Sequence, residues 1–237
     1  MLILGVTTST RRGSVALLDG ETLVASEAYE ASDGHAERLF GAIDRVLAEA
    51  GVQKRSVGLI GCDIGPGSFT GVRVGVAAMQ GAAKALRIPV VGVTSLEAMA
   101  MAARRLGHDR ALCLIDAKKA EVFYALYTPE HSVAPSHVSI AEVETLVELR
   151  SRHGVLVFGE VAEGLVGLEP LRGPALDLPD AELIARVAAA VPRPATTAIL
   201  EPLYVRAPNA KPASTELVPA VRTDDSRASG GSAPPGR

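Results

Sequence analysis

The sequence predicts a two-lobed α/β protein in which one order of elements, three strands, a helix, a strand and a helix, occurs twice. Three observations carry that expectation. Short Val/Leu/Ile runs separated by turn signals fill the first thirty residues, apolar positions at helical spacing follow them, and the same succession starts again near residue 109. The repeat is one of structural order rather than of residues.

In the first half, strands are expected at 2–7, 14–19 and 22–29, with Asp19-Gly20 as a two-residue hairpin turn, which makes an antiparallel meander. Ser32-Asp33 is a capping pair. Ala36, Leu39, Phe40, Ile43, Val46, Leu47 and Ala50 then recur at the helical period until Gly51 closes the helix. Residues 57–64 read as an apolar strand, and a Gly/Pro loop leads from it into an Ala- and Gly-rich helix at 70–86 without internal Pro. Pro89 to Val93 is a buried strand. Thr94-Ser95-Leu96-Glu97 has capping-box spacing and opens a helix running to about Leu106, so the first lobe covers 1–107.

The second, smaller lobe covers 108–206, with strands near 111–116, 121–127 and 133–138, a helix near 141–152, a strand at 155–158 and a helix near 180–191. Pro192, Pro194 and Pro202 force an extended exit through Leu203-Tyr204-Val205. In 207–237, Pro, Ser, Gly, Ala and charged residues dominate. Such a tail buries too little apolar surface to offset its ordering entropy and is expected to be disordered. Two βββαβα halves side by side are how the actin, hexokinase and Hsp70 class (ASKHA, RNase H-like) is built, and that actin-like fold is the expected one.

Composition agrees with this architecture. Of 237 residues 48% are hydrophobic but only 3% aromatic, with no Trp, so the core is built from Ala, Val, Leu and Ile, as suits helices on a buried sheet. The net charge of −3 and the scattered basic pairs Arg11-Arg12, Arg104-Arg105 and Lys118-Lys119 give no basic stripe, so nucleic-acid binding by this chain alone is not expected. Cys62 and Cys113 each sit in an apolar run and read as reduced core thiols, which points to the cytoplasm. Met1 leads directly into a short apolar stretch without a basic leader or a small-residue cleavage pattern, so no export signal is expected. Apolar runs break before the roughly 18 to 20 residues a bilayer requires, so no membrane association is expected.

The most informative stretch is Gly65-Pro66-Gly67-Ser68-Phe69-Thr70-Gly71-Val72-Arg73-Val74-Gly75, between a strand and a helix. It lacks the Gly-Lys-Ser/Thr of a Walker loop and the dinucleotide glycine spacing. Two readings stand level: a phosphate-binding nest of inward amides, with Thr8, Ser9, Gly65, Gly67 and Ser68 as the candidate phosphate loop, and a tight turn with close helix packing. Gly67, Gly71 and Gly75 recur every fourth residue and leave a face without side-chain bulk, which favours packing within the lobe first and a second chain after that.

Other chemistry finds no support. His35 opens the first helix, but a zinc site needs a second ligand one turn on, where Leu39 stands. His108, His131, His137 and His153 lie near turns or element ends and read as surface residues. No Gly-x-Ser-x-Gly elbow and no cysteine nucleophile motif is present, and no catalytic residue is assigned. Thr7-Thr8-Ser9-Thr10 ends the first strand at the place where an actin-like ATPase contacts phosphate. Hydrolysis there requires a carboxylate to organise metal and water, and this strand offers hydroxyls only. The segment from Asp116 to Tyr127 reads as a hairpin with a solvated, charged tip.

Taken together, Ile3-Leu4-Gly5-Val6-Thr7-Thr8-Ser9-Thr10, His35, Gly65-Pro66-Gly67-Ser68-Phe69-Thr70-Gly71, Ile88-Pro89, Val93-Thr94-Ser95-Leu96-Glu97-Ala98, Asp116 to Tyr127 and Pro202-Leu203-Tyr204-Val205-Arg206 resemble the TsaB (YeaZ) family of tRNA threonylcarbamoyladenosine biosynthesis proteins. The resemblance implies a non-catalytic scaffold that pairs with TsaD, the catalytic subunit, contacts the ATPase TsaE and reaches tRNA only through the complex; self-association through the same surface, giving a homodimer, is the expectation when the partner is absent. No cofactor is implied for the chain itself, and ATP with magnesium belongs to the complex. The implied pairing surface lies on the helices near 35–50 and 70–86, through His35, Arg38, Leu39, Val72, Arg73, Val76 and Met79. A change such as Val76→Arg is then expected to weaken pairing while leaving the fold intact. One departure stands out: the family usually has Asp where this chain has Thr7, which weakens the alternative of an autonomous nucleotide-binding ATPase. A protease reading, drawn from an old label on relatives of this fold, lacks the histidine pair it needs.

Overall fold

The computed structural model describes residues 1–31, 34–151, 154–165, 172–192 and 199–206. Leu2–Thr7 (β1), Arg12–Asp19 (β2) and Thr22–Glu30 (β3) form the antiparallel meander, and Val57–Asp63 (β4) and Val90–Val93 (β5) add in parallel, giving the order β3-β2-β1-β4-β5. β1, β2 and β4 are buried almost throughout because helices cover both sheet faces, which is why their sequences are near-continuous apolar runs rather than alternating ones.

On one face lie His35–Glu49 (α1) and Phe69–Leu86 (α2), whose Leu39, Ile43, Val46, Val72, Val76 and Met79 pack with Leu4, Val6, Val15 and Leu17 of the sheet. On the other lie Ser95–Arg105 (α3) and a helix from far along the chain, Ala181–Ala190, described below as α6. That late helix approaches the first sheet closely. A Cβ at Gly5 would stand 2.0 Å from the Ala181 carbonyl oxygen and one at Gly61 2.9 Å from the Ala188 Cβ, so both strand glycines are needed for the contact.

The second sheet comprises Ala111–Lys118 (β6), Glu121–Tyr127 (β7), Ser132–Ser139 (β8) and Leu156–Phe158 (β9), in the order β8-β7-β6-β9 with β9 parallel to β6. Ile140–Ser151 (α4) covers its outer face through Val143 and Val147, and a short helix Pro174–Asp177 (α5) precedes α6. The expected βββαβα order is therefore present twice, in an actin-like arrangement. α3 and α6 lie in one core with Cys113, Ile115, Phe123 and Phe158 of the second sheet, so the two halves share an interior.

Local signals decide where elements begin and end. Thr94 caps α3, its Oγ1 accepting from the Glu97 amide at 3.1 Å while the Glu97 carboxylate takes the Thr94 amide. An unforeseen capping box starts α4, where the Ser139 amide donates to Glu142 at 2.9 Å and the Glu142 amide to Ser139 Oγ at 3.3 Å. The first hairpin differs from expectation by one residue. Asp19 faces Thr22, so Gly20, with φ 58°, and Glu21 form the turn. The expected capping pair Ser32-Asp33, His153 and the tail 207–237 lie outside the described residues. Among the described residues no helix is long and apolar enough to cross a membrane.

Candidate functional site in the cleft between the halves

The turn after β1 and the loop before α2 meet at the carboxyl ends of parallel strands. Val6 pairs with Cys62, which brings Thr7 beside Asp63 at the end of β4. Thr7 Oγ1 and Ser9 Oγ each donate to Asp63 Oδ2 at 2.6 Å. Ser95 Oγ and the Gly65 amide donate to Oδ1 at 2.6 and 2.8 Å. Asp63 is 1% exposed. Burial pushes its carboxyl above the ordinary range, and the four donors oppose that shift. The end of β1 offers hydroxyls only, as expected, but, beyond that expectation, a carboxylate from β4 stands against them. Its signal in the sequence is an acid closing an apolar strand immediately before a glycine loop.

The glycine series is explained by contact with that turn. A Cβ at Gly67 would lie 2.1 Å from the Ser9 carbonyl oxygen, one at Gly71 2.1 Å from the Thr8 carbonyl oxygen and one at Gly75 2.3 Å from Thr8 Oγ1. Thr8 Oγ1 donates to the Gly71 carbonyl at 2.8 Å, and the Ser68 amide donates to the Ser9 carbonyl at 2.6 Å. Ser68 caps α2 by accepting from the Gly71 amide at 3.3 Å. Thr8, Ser9, Gly65, Gly67 and Ser68 are thus brought together, with the Ser9 hydroxyl and Gly65 amide on Asp63, the Thr8 hydroxyl on the Gly71 carbonyl and the Ser68 amide on the Ser9 carbonyl.

In front of this turn lies a cavity of about 520 Å³ lined from both halves, by Ser9, Thr10, Ser68 and Thr70 on one side and Asp116, Lys118 and Glu160 on the other. Arg11 bridges it to Glu160 at 2.8 Å, a contact that raises the guanidinium pKa further. Asp116 is partly buried, which acts to raise its pKa, but the Lys118 ammonium at 2.6 Å and amide at 2.7 Å outweigh that and hold it low. The hairpin tip is solvated as expected, with Lys118, Lys119 and Ala120 exposed, and its base also forms the cleft rim. Residues 199–206 return across the opening. The Leu203 amide donates to the Ile64 carbonyl at 2.7 Å, Arg73 Nε to the Tyr204 hydroxyl at 2.7 Å, and Arg206 pairs with Glu121.

His35 turns inward, its Nε2 donating to the Thr10 carbonyl at 2.8 Å, with Leu39 buried one turn on. Among the described residues no cluster of three His, Cys, Asp or Glu suited to a metal occurs. Cys62 and Cys113 are free and buried, and burial pushes both thiols up. The pairing residues named from the resemblance need correction. Leu39, Val72, Val76 and Met79 face the chain's own sheet and are core, because α1 and α2 turn their apolar stripes inward. Arg38 and Arg73 are exposed, Arg73 lying against Phe69 and Tyr204, and Phe40 of α1 is 56% exposed.

Fold and cleft together define a two-lobed α/β protein of the actin-like class. Residues 28–157 match the family model described as "TsaD: tRNA N6-adenosine threonylcarbamoyltransferase". The chain is 36% identical over 128 residues to the tRNA threonylcarbamoyladenosine biosynthesis protein TsaB of Escherichia coli (strain K12), covering 54% of this chain and 55% of that protein. It is 33% identical over 179 residues to an uncharacterized protein of Mycobacterium tuberculosis (strain ATCC 25618 / H37Rv), covering 75% and 78%. YeaZ from Pseudomonas aeruginosa superposes with a TM-score of 0.64 at 28% identity, over 79% of this chain and 90% of that one. The chain belongs to the TsaB (YeaZ) family. Its matches span about half the length of the curated TsaB relatives from Escherichia coli and Haemophilus influenzae.

Proposed function

We propose that this chain takes part in the synthesis of threonylcarbamoyladenosine in tRNA as a non-catalytic subunit that binds and supports a TsaD-like catalytic partner. Family membership supplies the process. The observation that carries the scaffold role is that the Thr8 and Ser9 hydroxyls and the Gly65 and Ser68 amides, at the fold's phosphate position, are taken up by bonds within the protein, while the outer face of α1 keeps Phe40 exposed. In this reading a TsaE-like ATPase joins the complex, ATP and magnesium act at the level of the complex, tRNA is reached only through it, and the chain pairs with itself when alone in the cytoplasm. Co-purification with the TsaD-like subunit is the test. Absence of association at micromolar concentration would count decisively against it.

A second reading, an autonomous nucleotide-binding ATPase, is favoured by the cavity between the halves with its hydroxyls, Lys118 and Arg206. Calorimetry of the isolated chain with ATP and magnesium separates the two, and turnover by the chain alone would replace the scaffold reading.

A further inference from the structure

Four segments far apart in sequence meet on one side chain. Thr7 from β1, Ser9 from the turn after it, Ser95 from the start of α3 and the Gly65 amide from the loop before α2 all donate to Asp63, two to each carboxylate oxygen. An ionised carboxylate accepts only, at about four lone-pair sites. The set is therefore complete when the group is charged. An amide of the same shape would turn one acceptor into a donor: the Gly65 N–H cannot accept from it, and hydroxyls that turned to accept would give up their charge-assisted bonds to the carboxylate. Among the described residues no Lys, Arg or His donates to this carboxylate; Cys62 beside it holds a thiol kept neutral by burial, and His35 faces the Thr10 carbonyl instead. A second acid has no room, because a carboxylate at position 7 would replace a hydroxyl that stands 2.6 Å from Asp63 Oδ2.

We propose that Asp63 is the positioning residue of the cleft: a single buried carboxylate that, against the cost of its burial, gathers four donors on its two oxygens and so fixes Ser9 and the glycine loop in the cleft wall. Ser9 lines the cavity and Asp63 does not, so Asp63 acts through its donors. Because Thr7 and Asp63 end adjacent parallel strands, the charge is transferable between them.

The test uses the full chain, with thermal unfolding at pH 7 and hydrogen exchange of the amides of residues 65–71. Asp63→Asn keeps the shape, yet it is expected to lower Tm by roughly 10 °C and to speed loop exchange about tenfold or more. Thr7→Asp, which sets two acids side by side, is expected to lose at least as much. The reciprocal double variant, Thr7→Asp with Asp63→Thr, is expected to recover at least half of the lost Tm and to slow loop exchange again, a rescue that a packing role does not provide. An Asp63→Asn chain within about 2 °C of the parent, or a double variant no more stable than the worse single one, overturns the proposal. Should the charge variants not fold, Ser9→Ala and Ser95→Ala each remove one donor from a folded chain. Both are expected to speed exchange of the loop amides several-fold, and unchanged exchange in both overturns the proposal as well.

Discussion

His35 Nε2 donates to the Thr10 carbonyl oxygen at 2.8 Å, and the Tyr29 hydroxyl lies 3.5 Å from Nδ1, so the neutral imidazole occupies both of its nitrogens. The ring ties the start of α1 to the turn after β1, which is the turn that carries the cleft hydroxyls.

Burial lowers the His35 pKa, and the bond to the Thr10 carbonyl opposes the shift without cancelling it. A depressed histidine contributes stability that is fully present above its unfolded value of about 6.5 and is lost as pH falls through the folded value. Urea midpoints are therefore expected to drop between pH 7 and pH 5, with a slope from this group of at most about 1.4 kcal/mol per pH unit. Asp63, whose carboxyl is raised, contributes in the opposite sense, stabilising at low pH and losing that contribution as pH rises. Both chains share the Asp63 contribution, so the difference between the parent and His35→Gln isolates the histidine. Parallel pH profiles for the two would contradict this account.

The glycines of α2 divide by what surrounds them. Gly71→Ala places a Cβ 2.1 Å from the backbone oxygen of Thr8, which cannot move without shifting β1, and a loss of about 3 kcal/mol or more is expected. At Gly81 nothing lies within 4 Å, and Gly81→Ala is expected to gain about 0.5 to 1 kcal/mol through helix propensity. Equal effects from the two substitutions in chemical denaturation would remove the packing explanation of the glycine series.

The same glycines show what was legible beforehand. The four-residue recurrence of Gly67, Gly71 and Gly75 favoured a close approach within the lobe; short apolar runs between turn signals placed the strands, helical spacing placed α1, and composition and the Thr94 capping box placed α2 and α3. What faces a helix glycine depends on tertiary contact, so the partnership with Thr8 and Ser9 was not readable. Asp63 escaped notice for the same reason: its four donors come from residues 2 to 56 positions away. The assignment of Val76 and Met79 to a pairing surface failed because an apolar stripe does not state whether it faces its own sheet or another chain. Both are core here.

Val76, 6% exposed, packs on the first sheet, so Val76→Arg is now expected to unfold the chain rather than to weaken pairing selectively. Phe40 offers the cleaner test of the proposed TsaD-like partnership. At 56% exposure its removal is expected to cost about 1 kcal/mol of stability, leaving the chain folded. In the complex a buried aromatic anchor is worth about 2 kcal/mol, so Phe40→Ala should weaken affinity by roughly tenfold or more. Unchanged affinity by calorimetry, with the fold intact, would move the pairing surface away from this part of α1.

The cleft rim carries a conformational cost that sequence can relieve. Lys118 pairs with Glu121, leaving Lys119 and Ala120 as a two-residue hairpin loop, with φ of 58° and 57°. Loops of this geometry favour Asn-Gly, because a Cβ in the left-handed region costs about 1 to 2 kcal/mol. Ala120→Gly removes that cost at one position but gives the unfolded chain more freedom, worth about 0.5 to 1 kcal/mol. The net expectation is a gain of about 0.5 to 1 kcal/mol in urea denaturation, with the Lys118 to Asp116 bonds retained because neither involves the Ala120 side chain. A loss of stability on Ala120→Gly would mean that the left-handed turn is not the conformation the hairpin adopts in solution.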